Sequence, residues 1–315
     1  MTDLLKNPIF KDETKAREWL EARVWPEGPV CPHCGNADAD KIKALQGKAH
    51  RPGLYQCAEC REQFTVTVKT VFERSKIPLT KWLAALFLMT ASKKGVSAHQ
   101  VHRMLDVSYK STWFMMHRLR EAMRTGGLEP LGGKGKVVEA DETYFGRAEE
   151  LHVSPQRKGH PYTKRGKIFN NRPIVALIER GGSVRSFHVA VADQFTVCGI
   201  VRENVARESH LHTDESKLYS RGLMDVRRHM TVKHTAHEYV RGDVTTNTIE
   251  SYFSIFKRGM RGTYQHCSEK HLHRYLAEFD FRHNNRIAVG INDTMRAENL
   301  AAGIAGKRLT YRRPY

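Results

Sequence analysis

The pattern of apolar and polar positions divides the chain into three structured regions and a short basic tail. Up to about residue 70, short β-branched runs such as residues 64–68 stand between turn residues, which predicts short strands. From about 78 to 125, apolar residues recur every three or four positions, which predicts helices. From about 134 to 290, β-branched runs alternate with helical patterns, so we expect a mixed α/β domain there.

Three helices are predicted in the second region, and capping residues mark the first two. The first is predicted near Pro78, with Thr80 as its N-cap. The second starts at Ser97 and the third at Ser111, separated by a turn at 106–108. Two helices joined by a short turn are typical of a DNA-reading helix-turn-helix, although an ordinary bundle with a solvated basic face has the same pattern. The last helix carries the basic residues Lys110, His117, Arg118, Arg120 and Arg124, and we expect DNA contacts from Lys110, Arg118 and Arg120.

The charge of the chain indicates a polyanionic partner. The 315 residues include 52 Lys and Arg against 34 Asp and Glu, a formal net charge of +18. Such an excess favours nucleic acid, because neutralised phosphates release counterions, although a ribosome-associated or merely basic protein is the alternative. The most apolar run, residues 82–91, is too short to cross a bilayer, and the N-terminus lacks a signal-peptide pattern. We therefore expect a cytoplasmic protein without membrane association, whose cysteines are reduced.

Four of the six cysteines form two CxxC pairs, Cys31 with Cys34 and Cys57 with Cys60. A CxxC turn presents two thiolates to one ion, so two such turns supply the four sulfur ligands of a structural Zn²⁺ site. The alternative is redox chemistry, since Cys31-Pro-His-Cys34 alone is similar to a thiol–disulfide oxidoreductase motif. The second pair and the absence of a flanking βαβ pattern favour zinc.

Acidic residues stand at the ends of two predicted strands and on a later helix. Asp141 and Asp214 each end a strand-like run, and Glu250 lies on a predicted helix. The order hairpin strands, helix, strand, helix is typical of an RNase H-like α/β fold, which brings such positions together. Three carboxylates can hold two Mg²⁺ or Mn²⁺ ions about 3.5–4 Å apart for in-line phosphoryl transfer. The acids that compete for the same role are Glu139, Glu142, Asp193, Glu215 and Asp243.

Several motifs resemble those of insertion-sequence transposases of the ISXO2-like group. They cover about residues 25–286 and read CPHCG, FTVTVKTVFERSKIPLTKW, VVEADETYFGR, LHTDESKLY, TTNTIESYFSIFKRGMRGTYQH and EKHLHRYLAEFDFRHNNR. The resemblance implies an N-terminal zinc ribbon, a helix-turn-helix and an RNase H-like (retroviral-integrase-like) DDE catalytic domain. It also implies that Asp141, Asp214 and Glu250 are the catalytic triad, with Asn247 a secondary candidate for the third ligand.

The resemblance also points to basic residues beyond the triad. Lys257 follows Glu250 by two helical turns and corresponds to the family's basic residue, which is expected to contact a DNA phosphate. Arg258, beside it, is expected to contact DNA as well. The basic loop at 147–172 either follows DNA or is a solvated surface loop.

These inferences give a predicted domain order and function. We expect a zinc ribbon at 1–75, a helix-turn-helix at 76–126, a Gly-rich linker at 127–135, a catalytic domain at 136–290 and a basic tail at 291–315. The expected activity is binding of terminal inverted repeats, metal-dependent 3′-end cleavage and strand transfer into target DNA. The expected partners are double-stranded DNA, both transposon ends and target, and further copies of the chain in at least a dimer.

Two other functions remain open at this stage. A nuclease of the same fold would hydrolyse DNA without joining it. A DNA-binding regulator would use the ribbon and the helix-turn-helix beside an inactive catalytic domain. The family resemblance further implies a bacterial protein that is associated with the nucleoid when it is bound to DNA.

Overall fold

The computed structural model describes residues 6–147, 171–219, 226–236 and 240–310, together with 163–164, 167–168, 223 and 238. The chain forms two compact units, Met1–Arg124 with Ile291–Tyr315, and Thr125–Gly290. Most of the basic loop predicted at 147–172 lies outside the described residues. Among the residues described, no helix is both long and apolar enough to cross a membrane.

The first α-helix of the first unit is α1 (Glu13–Val24), which Asp12 caps by accepting the N–H groups of Thr14 and Lys15. An antiparallel three-stranded sheet follows, in the order β1 (Ile42–Ala44), β2 (Tyr55–Cys57), β3 (Gln63–Phe64). The core of this sheet is small and consists mainly of Cys31, Ile42, Cys57 and Phe64, with Trp25 and Tyr55 packed against them. A core with so few buried side chains gives this sheet little stability, so a bound metal can contribute to the stability of the sheet.

Three helices continue the first unit: α2 (Leu79–Ala91), α3 (Ala98–Leu105) and α4 (Tyr109–Met123). Ser97 caps α3 as predicted. The predicted cap of α2 was wrong: Pro78 is its N-cap residue, and Thr80 instead donates its hydroxyl to Glu13. The carboxylate of Glu13 also accepts the N–H groups of Leu79 and Thr80, so a residue of α1 caps α2.

The C-terminal segment is folded for most of its described length, in contrast to the predicted basic tail. Helix α8 (Asp293–Ala302) packs against α1 and α2. Arg296 donates to the carbonyl oxygen of Thr90, and Glu298 pairs with Arg23. The segment predicted as a basic tail thus includes a helix, and the buried face of α8 contains Ala297, Leu300 and Ala301.

The second unit is built on one five-stranded sheet. Its strands are β4 (Val137–Arg147), β7 (Asn171–Glu179), β8 (Val184–His188), β9 (His210–Thr213) and β10 (Arg228–Thr231), in the order β10-β9-β4-β7-β8. Strands β4, β7 and β8 are antiparallel neighbours, whereas β9 and β10 run parallel to β4. This topology is that of the RNase H-like fold, as predicted. Two small hairpins complete the described strands, β5 (Thr163–Lys164) with β6 (Lys167–Ile168) and β11 (Val240–Arg241) with β12 (Val244–Thr245).

Helices cover both faces of this sheet. Helix α5 (Gln194–Asn204) lies on one face, and α6 (Asn247–Gly259) with α7 (Glu269–Asn284) on the other. Strand β7 is buried on both faces, since Ile174, Ala176 and Ile178 point to α6 and α7, and the residues between them to α5. The segment predicted as a linker already belongs to this unit, because Leu131 is buried and bridges to Val205.

Candidate active site

The parallel pairing of β4 with β9 places two acids side by side. Glu139 of β4 lies opposite His212 of β9, and the side chains two positions further along point to the same face. Those side chains are Asp141 and Asp214. The alternation fits the packing, because Ala140 is buried against the α5 side of the sheet while Asp141 faces the α6 side. Two acids that are 73 positions apart in the sequence thus meet where β9 ends beside β4. The predicted strand end at Asp141 was wrong, because β4 continues to Arg147 in its pairing with β7.

A third acid, Glu142, joins this pair. Carboxylate oxygens of Asp141, Glu142 and Asp214 lie within 4.8 Å of one another, a geometry that could hold a metal ion. Ser216 donates its backbone N–H to Asp214 at 3.0 Å and its hydroxyl to Glu142 at 3.1 Å. The segment after β9 therefore fixes both carboxylates. The sequence pattern indicated Glu142 only as a competing acid and assigned no role to Ser216. The position of Ser216 two residues after Asp214 was an available signal.

Glu250 approaches the cluster from α6. It lies on the wall of a cavity of about 660 Å³ that Asp141 and Glu142 also line. Thr246, one turn earlier, donates its hydroxyl to Oε1 of Glu250 at 2.8 Å. The predicted triad is thus brought to one region, with Asp141 and Asp214 in the tight cluster and Glu250 on the wall of the cavity that Asp141 also lines.

The acids disfavour one another's ionisation. Burial, followed by the negative charges of Glu142, Asp214 and Glu250, raises the pKa of Asp141 to about 8. Burial also raises the pKa of Glu142. A divalent cation that takes the place of the proton stabilises such a site, because the cation offsets the repulsion among the carboxylates.

Basic residues also line this cavity. Lys257, Arg258 and Arg261 follow Glu250 along α6 and the π-helical turn Met260–Tyr264 that extends it. Lys257 is half-buried, whereas Arg258 and Arg261 are exposed. The cavity therefore combines carboxylate oxygens with cationic side chains, a combination suited to a phosphodiester.

Two family models match the chain: the ISXO2-like transposase domain at residues 130–284 and the transposase zinc-ribbon domain at residues 11–63. The chain belongs to the ISXO2-like transposase family. A curated relative from Halobacterium salinarum (strain ATCC 700922 / JCM 11081 / NRC-1) is an uncharacterized protein in transposable element ISH50. It is 27% identical over 281 residues, which are 87% of this chain and 91% of the relative.

Two solved structures share a looser similarity with this ISXO2-like transposase chain. The crystal structure of the Mos1 strand transfer complex has 12% identity and a TM-score of 0.28, covering 69% of this chain and 73% of the other. The Mos1 transposase paired-end complex with left transposon end has 12% identity and a TM-score of 0.21, covering 63% and 78%. The strand order β10-β9-β4-β7-β8 itself shows the RNase H-like topology of the second unit.

The ISXO2-like chain also brings its four paired cysteines together. The Sγ atoms of Cys31 and Cys60 are 3.6 Å apart, those of Cys34 and Cys57 are 3.7 Å apart, and all four lie within 4.8 Å of one another. A tetrahedral Zn²⁺ with Zn–S bonds of about 2.3 Å separates its sulfurs by about 3.8 Å, so these thiols fit zinc. Backbone N–H groups of Cys60 and Glu59 help to lower the pKa of Cys57 to about 6, which favours the metal-binding thiolate.

The residues predicted to contact DNA in the helix-turn-helix of this ISXO2-like chain differ in exposure. Lys110 is exposed in the first turn of α4. Arg118 and Arg120 are only 7% and 2% exposed, which speaks against DNA contact by either. Arg118 donates to the carbonyl oxygen of Glu73 and lies over the Trp82 ring, so it has a structural role. Helical spacing places these arginines on α4 correctly but does not show which face of α4 is buried.

Proposed function

We propose that this protein cleaves the ends of its insertion sequence and joins the freed 3′ ends to target DNA. Asp141, Asp214 and Glu250 hold two Mg²⁺ or Mn²⁺ ions in the cavity. The observation that carries this proposal is the register of β4 with β9, which places Asp141 beside Asp214 on the face covered by the helix of Glu250. Hard oxygen ligands are those that Mg²⁺ and Mn²⁺ prefer.

When bound, the metal ions supply activation of the attacking oxygen and stabilisation of the leaving oxygen. The side chains of the protein hold the metal ions and bind the DNA. The carboxylates hold the metal ions, and Lys257, Arg258 and Arg261 bind the phosphates of the DNA strand that enters the cavity. Because water or a DNA 3′-hydroxyl is the nucleophile, no covalent link between protein and DNA forms.

The first test is the substitution Asp214→Asn, assayed on DNA that carries the ends of the element. Loss of several kcal/mol of transition-state stabilisation lowers cleavage roughly a thousandfold, while end binding persists. Asp193→Asn is the matched control, since Asp193 caps α5 and asparagine retains that function. Cleavage by Asp214→Asn at the wild-type rate in Mg²⁺ contradicts the assignment.

The rival functions give different results in a second assay. With pre-cut ends and a target plasmid, a transposase joins the ends to the target, whereas a nuclease of the same fold yields no joined product. A DNA-binding regulator shows no metal-dependent nicking at all. The basic side chains beside the acids favour chemistry on DNA over a purely regulatory role.

The first unit is proposed to bind the DNA ends. One Zn²⁺ on Cys31, Cys34, Cys57 and Cys60 holds its ribbon, and the exposed first turn of α4 with Lys110 contributes to the DNA surface. Two element ends must be joined in one event, so the active form is at least a dimer. Its partners are the transposon ends and the target duplex.

A further inference from the structure

Helix α6, which carries Glu250, begins without a side-chain cap from its own N-cap residue. That residue is Thr246, and its hydroxyl donates to Glu250 instead of accepting an N–H group from the first turn. First-turn N–H groups have no partner within their own helix, and leaving them unpaired in a buried place is costly. Ile249 in this turn is fully buried, so a partner from outside α6 is needed.

Glu139 of β4 supplies that partner. Its Oε2 accepts the backbone N–H groups of Thr248 at 2.9 Å and Ile249 at 3.1 Å. Its Oε1 accepts the hydroxyl of Thr248 at 2.9 Å. The side chain of Glu139 is 0% exposed, so this carboxylate does not line the cavity and acts as a cap from 109 residues away. A negative charge at this place also interacts favourably with the helix dipole.

Arg180, which follows β7, balances the charge of Glu139. It donates to Oε1 through Nε at 3.1 Å and through Nη2 at 2.9 Å. The same guanidinium reaches the carbonyl oxygens of Asp243 and Thr245, in the segment that leads into α6. A buried carboxylate with this many donors is held in one position, which makes it a rigid link between β4 and the start of α6.

We infer that Glu139 is a positioning residue for the metal site. It stands two residues before Asp141 on the same face of β4, and the helix turn that it caps leads directly to Glu250. One buried carboxylate therefore fixes the distance between a ligand on the sheet and a ligand on the helix. This inference rests on the proposed function, since it concerns the same carboxylates.

The test measures Mn²⁺ binding to the full-length protein, with Mn²⁺ as the only added ligand, from the electron paramagnetic resonance signal of the free ion. Glu139→Gln is expected to weaken Mn²⁺ binding about tenfold or more, the usual effect of losing an outer partner of a metal site. Thr248→Ala removes one hydrogen bond to Glu139 and weakens binding about threefold. Thr248→Ser keeps the hydroxyl and restores wild-type affinity.

Glu179→Gln is the control, because Glu179 also accepts a backbone N–H group and pairs with a basic side chain, but at the Gly132 and Lys136 side of the sheet. It should leave Mn²⁺ affinity unchanged. All variants are compared at a temperature where circular dichroism shows each one folded. If Glu139→Gln lowers only the melting temperature, or if Thr248→Ala binds Mn²⁺ as the wild type does, the positioning role is overturned. The proposed function fails separately, if Asp214→Asn binds Mn²⁺ like the wild type.

Discussion

The phenol hydroxyl of Tyr219 donates a hydrogen bond of 2.9 Å to Oε2 of Glu142, from a ring that is 1% exposed. Tyr219 lies five residues after Asp214, on the segment whose Ser216 also contacts Glu142. The segment after β9 therefore connects Asp214, which follows β9, to Glu142 of β4. This link implies that Glu142 is a fixed part of the acidic cluster.

Removing the Tyr219 hydroxyl should loosen that cluster. We expect Tyr219→Phe to reduce Mn²⁺-dependent DNA cleavage about threefold to tenfold, since a hydrogen bond to a charged group contributes about 1.5–3 kcal/mol and part of that is lost in the site. Tyr252→Phe is the matched control, because Tyr252 is also buried and donates to a carboxylate, that of Asp280. Equal cleavage rates for the two variants would mean that Glu142 does not contribute to the site.

The buried carboxyl group of Asp280 should make the free energy of unfolding depend on pH. Burial raises the pKa of Asp280 to about 7, against the donors Tyr252 and Ser186. The folded pKa exceeds that of the unfolded chain, so the stabilising effect is complete below about pH 4 and is lost as pH rises through about 7. Between about pH 5 and pH 8 the loss is of the order of 3 kcal/mol.

Urea unfolding of the wild type and Asp280→Asn at several pH values checks this expectation. Asparagine cannot ionise, so the variant should lack this part of the decline in unfolding free energy. Parallel pH profiles for the two proteins would show that Asp280 does not titrate in this range.

Arg118 and Lys110 should respond differently to substitution by alanine. Arg118→Ala removes a buried side chain that donates to Glu73 and packs on Trp82, so its main effect is a loss of stability of about 2–4 kcal/mol. Lys110→Ala changes an exposed residue of α4 and should weaken DNA binding while reducing the salt slope by about one. Thermal unfolding and salt-dependent DNA binding separate the two effects. A reduced salt slope for the folded Arg118→Ala variant would show that Arg118 contacts DNA.

Cys57→Ser should release zinc from the ribbon. The three remaining thiols no longer form a complete tetrahedral site, so zinc content falls from one equivalent toward zero and the ribbon loses its ordered fold. Elemental analysis and DNA binding are measured on the same preparation. Cys198→Ser, in the second unit, is the control and should retain zinc. A wild-type protein with no zinc and an active dithiol would support the redox alternative instead.

The sequence by itself determined the local features of this protein. The strand runs around Asp141 and before Asp214, the paired cysteines and the periodicity of the helices depend on residues within a few positions of each other. The order of these elements was sufficient to predict an RNase H-like sheet, and the sheet order agrees.

Only the tertiary structure determined which residues far apart in the sequence act together. Glu142, an undistinguished competitor in the sequence, joins the acidic cluster because Ser216 and Tyr219 hold it there. Glu139 caps a helix that begins more than a hundred residues later, and Arg118 turns inward. The physical reason is that burial and hydrogen-bond partners depend on which faces pack together, and helical or strand spacing leaves that choice open.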